Sequence, residues 1–195
     1  MQGFHIPAAP PLYTNTFLLI SDAGHAVVID PAAEVHSYDE ILKQHNATLT
    51  AILCTHGHYD HVGSAAALKA EWNAILYCEK ADLAGDRMYP LSAADYGYTE
   101  GEQIAVDELH FTAWHTPGHT PGSVVLLCGA PTLRAAAARR WQTACASWRS
   151  CPSPAKHRCC PATANFLPLA RSWTTTTISA APCAAATTFF KERTT

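Results

Sequence analysis

The run Thr55-His56-Gly57-His58-Tyr59-Asp60-His61 places three imidazoles and one carboxylate within six positions, directly behind an apolar stretch. If the chain is still extended at His56 and His58, the two side chains point the same way, because orientation alternates with period two in a strand. Asp60 and His61 follow where the chain must turn, and they can face a second point a few ångströms away. Imidazole nitrogen and carboxylate oxygen are the donors that zinc and similar divalent ions accept, and a catalytic site leaves one position open for water. An ion held there lowers the pKa of water to about 7, which supplies a nucleophile at neutral pH.

A further imidazole lies in His115-Thr116-Pro117-Gly118-His119-Thr120-Pro121-Gly122-Ser123. The two Pro-Gly pairs make a tight, rigid loop, suited to holding one ring in a fixed place. His119 is therefore taken as the third ligand of a first metal beside His56 and His58, and His115, at a strand end, as structural. His5, His25, His36, His45 and His110 stand singly on loops or element faces, where an ordinary structural role is expected.

These residues need elements to position them. Thr16–Ile20 and Ala26–Ile29 are short, apolar and partly β-branched, and Asp22-Ala23-Gly24 between them signals a hairpin. Asp30-Pro31 ends the second strand, and Val35, Tyr38, Ile41 and Leu42 recur at helical spacing up to about His45. A buried strand is expected over Leu49–Cys54, a helix over Ser64–Trp72 and a strand over Ala74–Cys78. Residues Asp82–Glu102, with Pro90 and several glycines, read as loop with at most one short helix. Gln103–Val106 and Leu109–Trp114 form a second expected hairpin, followed by a strand over Ser123–Cys128. Strands mixed with helices at this spacing imply a layered α/β or α+β domain.

With 195 residues, 48% hydrophobic and 15% charged, the chain can build a sizeable core. No apolar run reaches the roughly 20 residues of a membrane-spanning helix. The start lacks both a basic and an apolar leader segment, so no secretory signal, and a cytoplasmic location, are expected.

Three segments, Val-Ile-Asp-Pro at 28–31, Thr-His-Gly-His-Tyr-Asp-His-Val-Gly at 55–63 and the 115–123 loop, resemble the metallo-β-lactamase fold superfamily in order and spacing. Within it they are similar to the small hydroxyacylglutathione hydrolases of the glyoxalase II kind. The resemblance covers about residues 12 to 129. It implies an αββα sandwich with the site at the strand ends, His56, His58 and His119 on one metal, and Asp60 and His61 on a second. Asp30 would lie near the site, an ordinary strand-ending turn being an equal reading. The resemblance also implies zinc, two ions per site in the family although the second site lacks ligands here, with iron or manganese as alternatives, and a small-molecule thioester as substrate, hydrolysed by metal-activated water with Asp60 also orienting the nucleophile. A persulfide dioxygenase or a lactonase shares parts of the same motif.

The composition breaks near Gly129. Residues 1–129 carry 4 basic and 15 acidic groups, a net of −11, whereas residues 130–195 carry 9 basic groups and one acid, Glu192, a net of +8. All 10 glycines lie at or before Gly129, while the tail holds 16 Ala, 11 Thr and five of the eight Cys. The family pattern next requires a Gly-Asp pair and later a Pro-Gly-His-Gly loop, and neither is written in the tail. Back-translation recovers the loop, and a segment resembling the family's Gly-Arg-Thr-Asp-Leu stretch before it, in one shifted frame. Cys159 to Asn165 then permits Leu-Pro-Gly-His-Gly-Glu, and the same offset across Ala136–Arg139 and Trp141–Ala144 permits Gly-Arg-Thr and Ala-Asp-Gly. The chain is accordingly divided into a metal-binding domain at 1–129, with the second half of the sandwich incomplete or aberrant, and a tail at 130–195 read as out of frame. The tail has no Arg/Lys periodicity and little aromatic interleaving, so nucleic acid is not expected as a partner, nor is a membrane. The alternative to a hydrolase is a non-catalytic or incompletely folded metal-binding fragment.

Overall fold

In the computed structural model, residues 1–129 are described. Eight strands and three helices follow one another as β1 (Gln2–Pro7), β2 (Asn15–Ile20), β3 (His25–Ile29), α1 (Val35–Gln44), β4 (Thr48–Leu53), α2 (Tyr59–Val62), α3 (Ala65–Trp72), β5 (Ile75–Tyr77), β6 (Gln103–Val106), β7 (Leu109–His115) and β8 (Val124–Cys128). They form a five-stranded sheet in the order β1-β2-β3-β4-β5 and a three-stranded sheet in the order β6-β7-β8.

In the first sheet β1, β2 and β3 run antiparallel to their neighbours, and β3, β4 and β5 are parallel. Parallel pairing demands a crossover, which α1 supplies between β3 and β4 and the α2–α3 segment between β4 and β5. The inner strands are apolar on both faces, as a sheet covered on both sides requires. On β2, Leu18 and Ile20 pack with Tyr38, Leu42 and Leu68 of the helices, while Phe17 and Leu19 face Phe111, Ala113 and Leu126 of the second sheet. The same alternation separates Val28 from Val27 and Ile29, and Ile52 from Ala51 and Leu53. The layers are thus helices, sheet and sheet, the first three layers of the expected αββα sandwich. The rest of that sandwich, and the division at 129 with a tail read as out of frame, fall outside the described residues.

β1 was not expected, because only Phe4 and Ile6 alternate with Gly3, His5 and Pro7 in it. It pairs along its whole length with β2 at the sheet edge, and Pro7, which has no N–H to give, closes it. Over Asp82–Glu102, as expected, there is no α-helix. Turns there are tied by side chains instead, Asp86 Oδ1 accepting from Met88 N and Tyr89 N, and Glu102 Oε2 from Thr99 N.

Candidate metal centre

The chain leaves β4 at Leu53, and its next residues are fixed before the histidines begin. Tyr98, buried between the sheets, donates its hydroxyl to the Cys54 carbonyl at 3.0 Å. Thr55 N–H and Thr55 Oγ1 donate to the two carboxylate oxygens of Asp30 at 2.7 and 2.6 Å. Asp30 stands after β3 with φ +48°, a left-handed turn that aspartate tolerates better than most residues. Its Oδ2 also lies 2.9 Å from His61 Nδ1. This one buried carboxylate therefore orients both ends of the turn that carries the histidines.

Thr55 Oγ1 is also 3.1 Å from His56 Nδ1. A carboxylate only accepts, so the single hydroxyl proton goes to Asp30 and the oxygen accepts from His56 Nδ1–H. His56 Nε2 then keeps its lone pair and points into the site. It is buried with no hydrogen-bond partner. Such orphaned polar atoms are rare in folded proteins and call for a missing partner.

That partner position is shared with His58 and His119, whose ligand atoms lie within 4.8 Å of one another and of His56. The rings meet nearly edge-on, at 82° for His56–His58, 78° for His56–His119 and 87° for His58–His119. His58 Nδ1 and His119 Nε2 are 3.1 Å apart. Two nitrogens bound at about 2.05 Å to a tetrahedral ion stand roughly 3.3 Å apart, so this spacing fits ligands of one zinc-like ion. Burial pulls the pKa of His56 far below its ordinary value, with further depression from His61, His119 and His58 around it. Burial likewise lowers His58 and His119. All three are neutral at pH 7, the form in which imidazole ligates.

His61 differs. Burial works against its charge, but the Asp30 carboxylate and its hydrogen bond, with Asp60 adding to them, hold the pKa above the usual value. Its ring lies against His56, with centroids 4.0 Å apart, and its Nε2 is 3.8 Å from Asp60 Oδ2. A second cluster of potential ligand atoms comprises Asp30, His56 and His61. Asp30 already accepts from Thr55 and His61, however, which makes it the orienting group behind His61. Asp60, expected with His61 on a second ion, is partly open to solvent and accepts from Thr14 Oγ1 at 3.3 Å. All five expected site residues thus meet at one end of the sheets. His115 turns away, its Nε2 lying 3.1 Å from the Tyr98 carbonyl.

The family model described as the metallo-beta-lactamase superfamily matches residues 9–133. The chain belongs to that superfamily. Among curated relatives it is 30% identical over 127 residues to "Probable metallo-hydrolase YqgX" of Bacillus subtilis, covering 58% of this chain and 60% of that one. It is 30% identical over 124 residues to "Hydroxyacylglutathione hydrolase GloC" of Haemophilus influenzae, covering 56% and 58%. The solved structure of ETHE1 from Myxococcus xanthus superimposes with a TM-score of 0.57 at 28% identity, over 66% of this chain and 54% of that one. The match spans about 60% of the length of these curated relatives. Membership of the metallo-beta-lactamase superfamily implies metal ions at this cluster, and the orphaned His56 Nε2 fits one.

Sequence reasoning missed two groups in this superfamily site. Thr14 precedes any recognisable motif, and nothing in its surroundings marks it. Asp82 lies in the stretch that read as loop, yet it is 1% exposed and contacts both histidine loops. Its traces in the sequence were the glycines at 57 and 122, which leave it room.

Proposed function

We propose that this chain is the metal-binding part of a hydrolase that cleaves a small thioester of the hydroxyacylglutathione type with metal-activated water. The convergence of His58 and His119 with the orphaned His56 Nε2, three neutral imidazoles from two different sheets, carries this reading. His56, His58 and His119 would hold the first ion, with Asp60 and His61 contributing to a second; zinc is the expected metal, with iron or manganese as alternatives. Bound there, a divalent cation supplies Lewis acidity, making water a nucleophile at neutral pH and polarising an acyl oxygen.

The remaining work belongs to the side chains. Asp60, held by Thr14 and open to solvent on its other side, is placed to orient the attacking water and accept its proton. Asp30 and Thr55 fix the tautomers of His61 and His56, so that each presents Nε2 to the site. The leaving thiolate has a conjugate acid of pKa about 8.5, and it departs without a strong general acid.

The test is hydrolysis of S-lactoylglutathione by the full chain reconstituted with zinc, iron or manganese, followed by thiol release and by metal analysis. Turnover that disappears in His58→Ala and falls by roughly 10²-fold or more in Asp60→Asn supports the hydrolase. One ion per chain with no turnover in any metal form points instead to a non-catalytic metal-binding fragment. That reading draws on the partial coverage of the relatives.

A further inference from the structure

Asp82 closes the 3₁₀ turn Lys80–Asp82, just after β5, and touches no imidazole through a hydrogen bond. Its carboxylate accepts three of them: Gly57 N–H at 3.0 Å and Thr120 Oγ1 at 2.6 Å on Oδ2, and Gly122 N–H at 2.9 Å on Oδ1. These donors come from the two segments that carry the metal-site histidines. Gly57 sits between His56 and His58, and Thr120 and Gly122 follow His119. The first segment grows from the five-stranded sheet and the second links β7 to β8 of the other, so one carboxylate joins them.

The packing around it is tight enough to dictate sequence. A Cβ on Gly57 would lie 2.3 Å from the Asp82 carbonyl oxygen, and one on Gly122 would lie 2.7 Å from Asp82 Cγ. Neither glycine has a positive φ. Both are glycine for space, and the space is taken by Asp82.

The charge is the second observation. Among the described residues no lysine or arginine pairs with Asp82, although it is 1% exposed. The three donated hydrogen bonds are what hold this carboxylate out of water. The carboxylate lies directly behind the three-imidazole pocket, bonded to the turn and the loop that form it. A cation held in that pocket would stand beside this buried carboxylate.

We propose that Asp82 is a positioning residue of the metal centre, its carboxylate setting the separation between the His56–His58 turn and the His119 loop and supplying the buried negative charge that a cation answers. The proposal rests on the metal-centre reading above, and it assigns Asp82 no contact with ion or substrate.

The test titrates Co²⁺ into the metal-free full chain, read by the ligand-field absorption of the bound ion and by metal analysis. Asp82→Asn, isosteric and uncharged, is expected to weaken cobalt binding by about 10- to 100-fold and to change the absorption band. Thr120→Val, which removes one donor, weakens it less, and Thr120→Ser restores it. Asp95→Asn is the control, since Asp95 likewise accepts from a backbone N–H, that of Leu76, and from Lys69 Nζ, away from the histidines. It is expected to alter thermal stability alone. Wild-type affinity and an unchanged band in Asp82→Asn and Thr120→Val, whatever their stability, overturn the proposal. If Asp82→Asn does not fold, the Thr120→Val and Thr120→Ser pair decides by itself. A wild-type chain that takes up no cobalt overturns the metal-centre reading, and the proposal with it.

Discussion

The hydroxyl of Thr55 decides which nitrogen His56 presents, because Asp30 takes its only proton. Thr55→Val leaves a buried carboxylate oxygen and His56 Nδ1 short of a partner, and a stability loss of about 1–3 kcal/mol is expected in urea unfolding, with weaker metal uptake. Gly57→Ala drives a methyl group into the Asp82 backbone and is expected to cost about 1–3 kcal/mol by the same measurement, although both residues are small and apolar. The histidines also set a pH dependence in the metal-free chain. His56, His58 and His119 have folded pKa values below 6.5, so the unfolded chain binds more protons and their contribution to stability is lost as the pH falls below about 6.5. His61, raised by Asp30, acts in the opposite sense and loses its contribution as the pH rises through its folded value. The burial of His56 makes acid destabilisation dominate. In the presence of a chelator the urea midpoint is expected to drop between pH 7.5 and 5, and to drop less in His56→Asn; a midpoint that rises over that range contradicts the neutral His56 described above. His56, His58, Asp60, His61 and His119 were legible because ligand types at strand and turn spacing are a local signal. Asp30 was ambiguous because a strand-ending Asp-Pro has an ordinary use, and Asp82 was illegible because its partners are backbone N–H groups distant in sequence.

At the scale of elements, β4 matters most, since it delivers the histidine turn and is covered on both faces. Leu53, fully buried against the second sheet, stands two residues before Thr55. Leu53→Ala is expected to cost about 2–5 kcal/mol in urea unfolding and to lower cobalt affinity, because the cavity opens beneath the turn. The apolar strands β2, β3 and β4 could be read from composition, since two-sided burial leaves near-continuous apolar runs, and β6, β7 and β8 from their hairpin spacing. β1 could not, because an edge strand needs only one apolar face and two alternating side chains supply it. The connection from Asp82 to Glu102 was legible as loop, but its path was not. Its shape comes from carboxylates gripping backbone N–H groups, a pattern without periodicity.

For the whole molecule, the net charge of −3 joins an acidic region of −11 to a basic one of +8. The acidic region contains the described domain and almost all of the family match, which ends at residue 133. We infer that the basic region follows a reading-frame shift near codon 130. The coding DNA across codons 125–165 is expected to contain Gly-Arg-Thr and Pro-Gly-His-Gly codons in the alternate frame, and early stop codons there contradict the inference. A chain with the frame restored, which regains the carboxylate of the Gly-Asp pair and the imidazole of the Pro-Gly-His-Gly loop, is expected to hold its second ion more tightly than the chain as written, as metal analysis would show. One feature of the fold bears on how such a chain carries load. His56 and His58 are anchored to the five-stranded sheet and His119 to the three-stranded one, so a cation held by all three is a rivet across the seam between them. Pulled apart under force, the two sheets would slide until the rivet sheared, and removing the ion with a chelator is expected to lower the rupture force at that seam before it loosens either sheet.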